Sequence, residues 1–498
     1  MTLVLAALCG GALVLSLAPF DLWPFAFVSA AGLYLLLERF PDKAVWIAAG
    51  FGLTKYVFGL SWVYVSIHVY GYASPFLAGS LVVLMAAIMT VVTWAQCVLY
   101  VRMRVNSVPV NLFLFAALWT LVEWMWTWWL GGFPWLFAGY SQLGTLLAAF
   151  APIGGVFLVS FLVVLIGASL ASLLTIRTPG LKSRWPVLLG IPLVLLGVLL
   201  DQIEWTKAAG TQTVALVQGN TEQSVKWDAQ ARDTIVRTHV RLTAPLWGEV
   251  DAIIWPEGAI TYWAHEADFL LERLDREGSR TGTALVTGVP VAEREGDEVH
   301  VYNGVLAVGE GQGRYFKQIL VPFGEYVPFE ILLRGLIAFF DLPMSSFSAG
   351  PQDQPLLTLK GVPAVMLICY EVAFPAHVAR ESRDAEVLLT ISNDTWFGES
   401  IGPLQHMQIA QMRAREMDRW VLRATNNGLT AIIDSRGNVV STIARFEEGV
   451  LQGTWERRQG TTPFQIAGNL VVLVLLSLIL GLVVWVRRKQ PASTQSAE

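Results

Sequence analysis

Long blocks of apolar residues fill positions 1–203 and return near the C-terminus, while the stretch between them alternates short apolar runs with polar, helix-patterned segments. A helix needs about 20 mostly apolar residues to cross a hydrocarbon core. On that measure the long blocks predict eight spans, at 2–19, 23–37, 44–67, 74–101, 112–130, 146–175, 185–200 and 469–486, the second and seventh being short. The first block has no basic residues ahead of it and a second block follows at once, so it reads as a retained helix rather than a cleaved leader. Lys and Arg in the short connections set orientation. Arg39 and Lys43, Arg102 and Arg104, Arg177, Lys182 and Arg184, and Arg487, Arg488 and Lys489 follow alternate blocks, and the other connections have neither residue. Both termini are therefore expected in the cytoplasm, with the long central segment on the outer side.

In that central segment the apolar runs predict strands at 214–217, 252–255, 284–288, 304–308, 315–317, 364–369, 387–392, 422–425 and 430–434. Helical patterns fall at 229–246, 266–277, 374–383 and 404–420. Strands alternating with helices predict an α/β layered domain with both sheet faces covered. The organisation expected is a seven-span membrane domain at 1–203, an outer domain at 204–468, an eighth transmembrane helix at 469–488 and a cytoplasmic tail at 489–498.

Composition sharpens this picture. Hydrophobic residues make up 54% and charged residues 15% of the 498 residues, against roughly 45–50% and about 25% in soluble domains. That balance excludes a disordered chain. A net charge of −5 offers no basic field for nucleic acid. Three cysteines cannot build a disulfide scaffold or a Cys-rich zinc site, and no metal or other cofactor is expected. Two charges, Lys55 and Glu123, fall inside predicted spans, where an ionisable group is costly. Mutual pairing is the simplest expectation for them, a substrate role the alternative. Trp124, Trp126, Trp128 and Trp129 look like an interfacial belt.

Chemistry in open α/β sheets collects at strand carboxyl ends, and three residues there stand out. Glu257 sits in Trp255-Pro256-Glu257-Gly258 after a strand, and Lys317 ends Tyr315-Phe316-Lys317 ahead of Val321-Pro322-Phe323-Gly324-Glu325. Cys369 ends a buried strand and leads into Tyr370-Glu371. Cys9 and Cys97 lie in the first and fourth spans, so Cys369 has no disulfide partner in its own domain. Placement alone leaves two readings, the commoner inert core thiol and a reactive nucleophile. A cysteine nucleophile needs a base or a cation beside it. None of the domain's histidines, His239, His265, His300, His377 and His406, sits in a comparable motif. Glu257 is then the candidate base and Lys317 the cation for thiolate and oxyanion.

Glu257 in Trp-Pro-Glu, Lys317 ahead of Val-Pro-Phe-Gly-Glu and Cys369 in Ile-Cys-Tyr-Glu resemble the Glu-Lys-Cys triad of the nitrilase, or carbon–nitrogen hydrolase, superfamily. The spans narrow the resemblance to its membrane-embedded branch, the apolipoprotein N-acyltransferases. Val217-Gln218-Gly219-Asn220 with Trp227, Ser392-Asn393-Asp394-Thr395-Trp396-Phe397-Gly398 and Arg423-Ala424-Thr425-Asn426-Asn427-Gly428 are also similar to that family. The resemblance implies an αββα sandwich and a multi-pass protein of the bacterial inner membrane with its catalytic domain in the periplasm. It implies a two-stage transfer in which Cys369 takes an acyl chain from a phospholipid, typically phosphatidylethanolamine. The thioester then passes that chain to the α-amine of a diacylglyceryl-modified N-terminal cysteine on a lipoprotein, with no cofactor. It adds Trp227, Glu325, Tyr370 and Glu371 as supporting residues, with Glu325 and Glu371 expected to orient Lys317 and Glu257 and a backbone N–H near Tyr370 to help hold the oxyanion. The apolar stretch 329–347, including Phe339 and Phe340, together with Trp396 and Phe397, is a candidate route for acyl chains, with packing as ordinary core the equal alternative. A membrane-anchored amidase is the rival enzyme reading, and a transporter, for which no internal repeat is visible, the non-enzymatic one. A monomer is expected.

Overall fold

A computed structural model of the chain describes residues 1–173, 185–327 and 346–490. These divide into two compact units, one of Met1–Ser61, Gly79–Ile203 and Ala467–Glu498, the other of Trp62–Ala78 and Glu204–Ile466.

Among the described residues the first unit is built of helices, and each of the eight apolar blocks contains one. By length and apolarity alone, four of the helices found among the described residues can cross a membrane: Pro75–Met103, Val108–Met125, Leu146–Ser172 and Leu470–Lys489. A bent pair, Pro41–Gly59 with Trp62–Tyr70, adds a fifth if taken as one span. The first helix, Thr2–Leu15, has 14 residues, a rise of only about 21 Å. Leu146–Ser172 is the most enclosed of the four long helices and Leu470–Lys489 the most open, as expected for a helix that faces lipid. Glu123 is buried and accepts hydrogen bonds from Trp119 Nε1 and the Ala138 N–H, both at 2.8 Å. Lys55 Nζ stands 4.9 Å from the Tyr56 ring and 5.9 Å from the Trp119 ring, so Trp119 touches both charged residues. Trp126 turns inward against Tyr56 and Trp129, while Trp128 is exposed. The expected belt is thus only partly a surface feature.

The third apolar block, expected as a single span over 44–67, is not one continuous helix. Its helix stops at Gly59, and the chain bends by 50° into Trp62–Tyr70. There Trp62 meets Phe397 edge-on at 4.8 Å, and Ser66 Oγ donates to the Trp396 carbonyl at 2.8 Å. These contacts assign Trp62–Ala78 to the second unit rather than to the continuous 1–203 block.

Among the described residues the second unit is built on thirteen strands, β1 Thr206–Gln218, β2 Ala252–Ile254, β3 Ala284–Glu295, β4 Glu298–Gly309, β5 Gly311–Gln312, β6 Arg314–Phe316, β7 Leu357–Leu359, β8 Val362–Ile368, β9 Val387–Ser392, β10 Val421–Thr425, β11 Thr430–Ile433, β12 Val439–Ile443 and β13 Gly449–Gly460. They form a six-stranded sheet, β13-β1-β2-β3-β4-β6, and a seven-stranded sheet, β12-β11-β10-β9-β8-β7-β5. Side chains alternate across a strand. On β1, Val214 and Leu216 therefore join Ile254, Ile368, Leu389, Leu422 and Ile432 between the sheets, while Ala215 and Val217 face Leu246 and Leu274 of covering helices. Each fully buried Ile or Leu contributes roughly 1.5–3 kcal/mol. Every residue of β9 and β10 is buried, which requires cover on both faces and completes an αββα sandwich. Because β1, β2 and β3 run parallel, as do β8, β9 and β10, their carboxyl ends gather along one edge of each sheet.

Candidate active site

Glu257 follows β2 in a turn that Gly258 closes at φ +60°. The turn lies so close to β3 that a Cβ on Gly288 would stand 2.9 Å from the Glu257 Cα. One carboxylate oxygen of Glu257 accepts from Asn303 Nδ2 and the other from the Asn393 N–H, each at 2.7 Å. Asn303 belongs to β4 and Asn393 follows β9, so this carboxylate joins the two sheets.

Lys317 follows β6 and is anchored through its backbone, donating to Asn303 O at 2.9 Å and accepting from the Gly350 N–H at 2.7 Å. Its buried ammonium lies 2.8 Å from Glu325 and 3.9 Å from Glu257. Burial alone disfavours this charge, but Glu325, Glu257 and Cys369 outweigh it and hold the ammonium above its usual range. Glu325 is fixed in turn by Asn303 Nδ2 at 2.9 Å and the Val321 N–H at 2.8 Å.

Cys369 caps β8 with φ +52° and opens the turn Cys369–Ala373. A non-glycine residue in that region costs on the order of 1–3 kcal/mol, so its surroundings must hold it. His406 Nε2 lies 3.1 Å from the Cys369 carbonyl oxygen, and Glu371 accepts from the Ile368 N–H at 2.7 Å. The elbow leaves Cys369 partly exposed as a residue. Burial first, then the charge of Glu257, push its thiol up to about 12 against the opposing pull of Lys317. At neutral pH Cys369 therefore rests as a thiol, and any attack by its sulfur requires the loss of that proton.

His406 is not placed to take that proton. Its Nε2 faces a carbonyl oxygen and so carries the hydrogen, and Nδ1 lies 3.0 Å from both Arg423 and Asp394. Burial and Arg423 hold the ring below its usual value against the opposing pull of Asp394. Arg423 and Asp394 form a fully buried ion pair at 2.7 Å, and Ser392 Oγ also donates to Asp394. A Cβ on Gly428 would stand 2.7 Å from the Asp394 Cβ. Behind the nucleophile, the structure thus sets a rigid polar block from the Ser392–Phe397 and Arg423–Gly428 motifs.

The structure brings Glu257, Lys317 and Glu325 into one hydrogen-bonded cluster, with Cys369 within its electrostatic reach. Glu371 has a different place from the one expected. It is fully buried and accepts from Tyr315 OH, Gln318 N–H and Ile319 N–H at 2.9, 2.7 and 3.2 Å, besides Ile368. It thus fixes the chain on either side of Lys317 and Cys369, while Glu257 is oriented by Asn303 and Asn393. Burial raises its carboxyl to about 7 against those bonds. Tyr370 is buried edge-on to Phe374 at 5.1 Å. Trp227 is half-buried, with its ring 3.7 Å from where a Gly258 Cβ would sit. Trp396 and Phe397 are half-buried and engaged by Tyr70 and Trp62 rather than open. Phe339 and Phe340, like most of 329–347, lie outside the described residues.

Asn303, Lys226 and His406 carry no strand-end motif, and their contacts with the site come from positions far along the chain. Lys226 Nζ donates to the Glu257 carbonyl at 2.8 Å. The only sequence signal for it is its neighbour Trp227.

Two family models match the chain. The apolipoprotein N-acyltransferase N-terminal domain matches residues 9–169, and carbon-nitrogen hydrolase matches residues 213–461. The chain is 45% identical to the apolipoprotein N-acyltransferase of Pseudomonas aeruginosa strain PAO1, over 95% of each sequence. It is 45% identical to that of Azotobacter vinelandii, over 98% of this chain and 96% of the other. The Vibrio vulnificus relative of the same name is 39% identical over 98% of both. With a nitrilase-like sandwich carrying the Glu, Lys and Cys at its strand ends, a helical membrane portion, and this likeness over nearly its whole length, the chain belongs to the apolipoprotein N-acyltransferase family.

Proposed function

We propose that the protein transfers an acyl chain from a membrane phospholipid, phosphatidylethanolamine the leading donor, to the α-amine of the diacylglyceryl-cysteine that begins a lipoprotein. The observation that carries this reading is the Glu257–Lys317–Glu325 cluster at the strand edge that also presents a strained, partly exposed Cys369. Cys369 Sγ attacks the ester carbonyl carbon while Glu257 takes the thiol proton. Lys317 supports the oxyanion, and Glu257 returns the proton to the departing lysophospholipid oxygen. The thioester carbonyl is then attacked by the amine, whose proton passes through Glu257 as the amide forms and the thiol is released. No nucleotide or metal enters this balance, because thioester to amide is downhill.

Glu325 holds Lys317, Glu371 the strand ends, and Tyr370 packs behind the elbow. Trp227 supports the site beside Gly258, and Trp396 and Phe397 belong to the route for acyl chains. The membrane portion carries eight spans, 1–203 supplying seven apart from the excursion at Trp62–Ala78, and 469–488 the last. The Lys and Arg pattern supports cytoplasmic termini, with 489–498 as a tail, and a periplasmic catalytic domain at the inner membrane. The protein acts as a monomer.

A reconstitution tests the reading. Vesicles of phosphatidylethanolamine with a labelled acyl chain are incubated with the protein and a synthetic peptide beginning with S-diacylglyceryl-cysteine. Label is expected on the peptide amine with one lysophospholipid released per transfer, and N-acetylation of the peptide abolishes it. Release of free fatty acid with no labelled peptide would instead make the protein a hydrolase.

A further inference from the structure

Lys226 is 2% exposed, and its Nζ bonds the main-chain carbonyl of Glu257. Its side chain lies against Gly258, where a Cβ would stand 3.0 Å from Cε and 3.2 Å from Nζ. A buried ammonium is costly unless a negative charge faces it. Lys317, the cation expected to serve the thiolate and the oxyanion, lies 2.8 Å from Glu325 and 3.9 Å from Glu257. Both Glu257 oxygens are met by neutral donors, Asn303 Nδ2 and the Asn393 N–H. Two carboxylates and one ammonium leave this buried cluster one negative charge in excess, and Lys226 restores neutrality. We propose that Lys226 is the counter-charge of the Glu257 carboxylate, a positioning residue that keeps the base ionised at working pH while Lys317 serves Glu325.

The groups facing Lys226 are Glu257 on the turn after β2, Cys369 after β8 and His239 on the helix Arg232–Thr243. Burial lowers His239 to about 4, so it stays neutral and competes for neither charge. Burial lowers Lys226 itself to about 8, against the pull of Glu257 and Cys369, so it is charged at neutral pH. The inference rests on Glu257 being the base for Cys369, but not on the identity of the acyl donor.

Its test is the pH profile of iodoacetamide alkylation of Cys369 in the full-length protein, followed by peptide mass. Lys226→Gln keeps a donor for the Glu257 carbonyl and loses the charge, and Lys226→Arg keeps the charge. The Gln variant is expected to move the acid limb of the profile up by at least about one pH unit, slowing alkylation about tenfold at pH values on that limb, and the Arg variant to leave that limb in place. An unmoved acid limb in the Gln variant overturns the proposal and leaves Lys226 a structural donor. Should the Gln variant not fold, Lys226→Met, which keeps the apolar stem and loses the charge, is read in the same way, and an acid limb left in place in that variant overturns the proposal. A protein that behaves as expected here yet takes no acyl chain from phospholipid would count against the donor reading alone.

Discussion

Replacing Glu257 with Gln slows acyl loading of Cys369 by about 10²–10⁴-fold at neutral pH, the range expected for loss of a positioned general base. Two effects oppose each other in this variant. The base is lost, but so is a negative charge that helps to raise the thiol. Burial is the larger cause of the thiol's rise to about 12, so removing the charge leaves the thiol protonated, and loss of the base wins. A thiol at that value is roughly one part in 10⁵ ionised at pH 7. Loading by the variant then depends on free thiolate and climbs about tenfold per pH unit, whereas the wild type has no such dependence near neutrality. Burst kinetics between pH 6 and 10 check both features. A Gln variant that loads at the wild-type rate would remove Glu257 from the chemistry.

Arg423→Met lowers the free energy of unfolding by about 3–5 kcal/mol at neutral pH, the cost of stranding one member of a buried ion pair. Asp394 is fully buried, and burial would raise its carboxyl, but Arg423 and His406 outweigh this and hold it below the usual 3.8. A depressed carboxyl contributes stability above its unfolded value, and that contribution fades as pH falls toward the folded one. Without Arg423 the burial effect remains and the carboxyl shifts upward, so protonation relieves the unpaired charge. The deficit is therefore largest at neutral pH and shrinks on acidification toward pH 4. Thermal unfolding in detergent from pH 4 to 8 measures it. Adding Asp394→Asn should recover much of the loss. A deficit independent of pH, or simple additivity of the two changes, would mean that the pair is not what holds the elbow.

The legible parts of the chain are those whose burial is written in a run of like residues. The interior strand β9, apolar from Val387 to Leu389 and again at Ile391, forms over the same residues that predict it, and its neighbours β8 and β10 fall within a residue or two of the runs that foretell them. The edge strands differ. β1 and β13 pair along their whole lengths, from Thr206↔Gly460 to Gln218↔Gly449, but the first half of β1 and most of β13 are polar and partly solvated, so no apolar run marks them. The β3–β4 hairpin extends through Glu293 and Arg294 opposite His300 and Val299 for the same reason. Hydropathy also passes over the bend after Gly59, because lipid-facing helix and the Trp62–Tyr70 segment that packs on Phe397 are equally apolar.

In the site, Glu257, Lys317 and Cys369 announce themselves by position at strand ends. Their partners do not. Asn303 reaches Glu257 across 46 residues and His406 reaches the Cys369 carbonyl across 37, separations that only the folded sheets bring together. The thirty-one residues between Lys226 and the Glu257 carbonyl hide that contact equally well.

The central claim is that Cys369 carries the acyl chain. Purified protein incubated with phosphatidylethanolamine vesicles and no acceptor, quenched in acid and weighed intact, is predicted to gain the mass of one acyl chain. The gain should map to the peptide holding Cys369, be released by hydroxylamine and be absent from Cys369→Ala. An unmodified wild-type mass, or an adduct that survives in the Ala variant, would contradict the account.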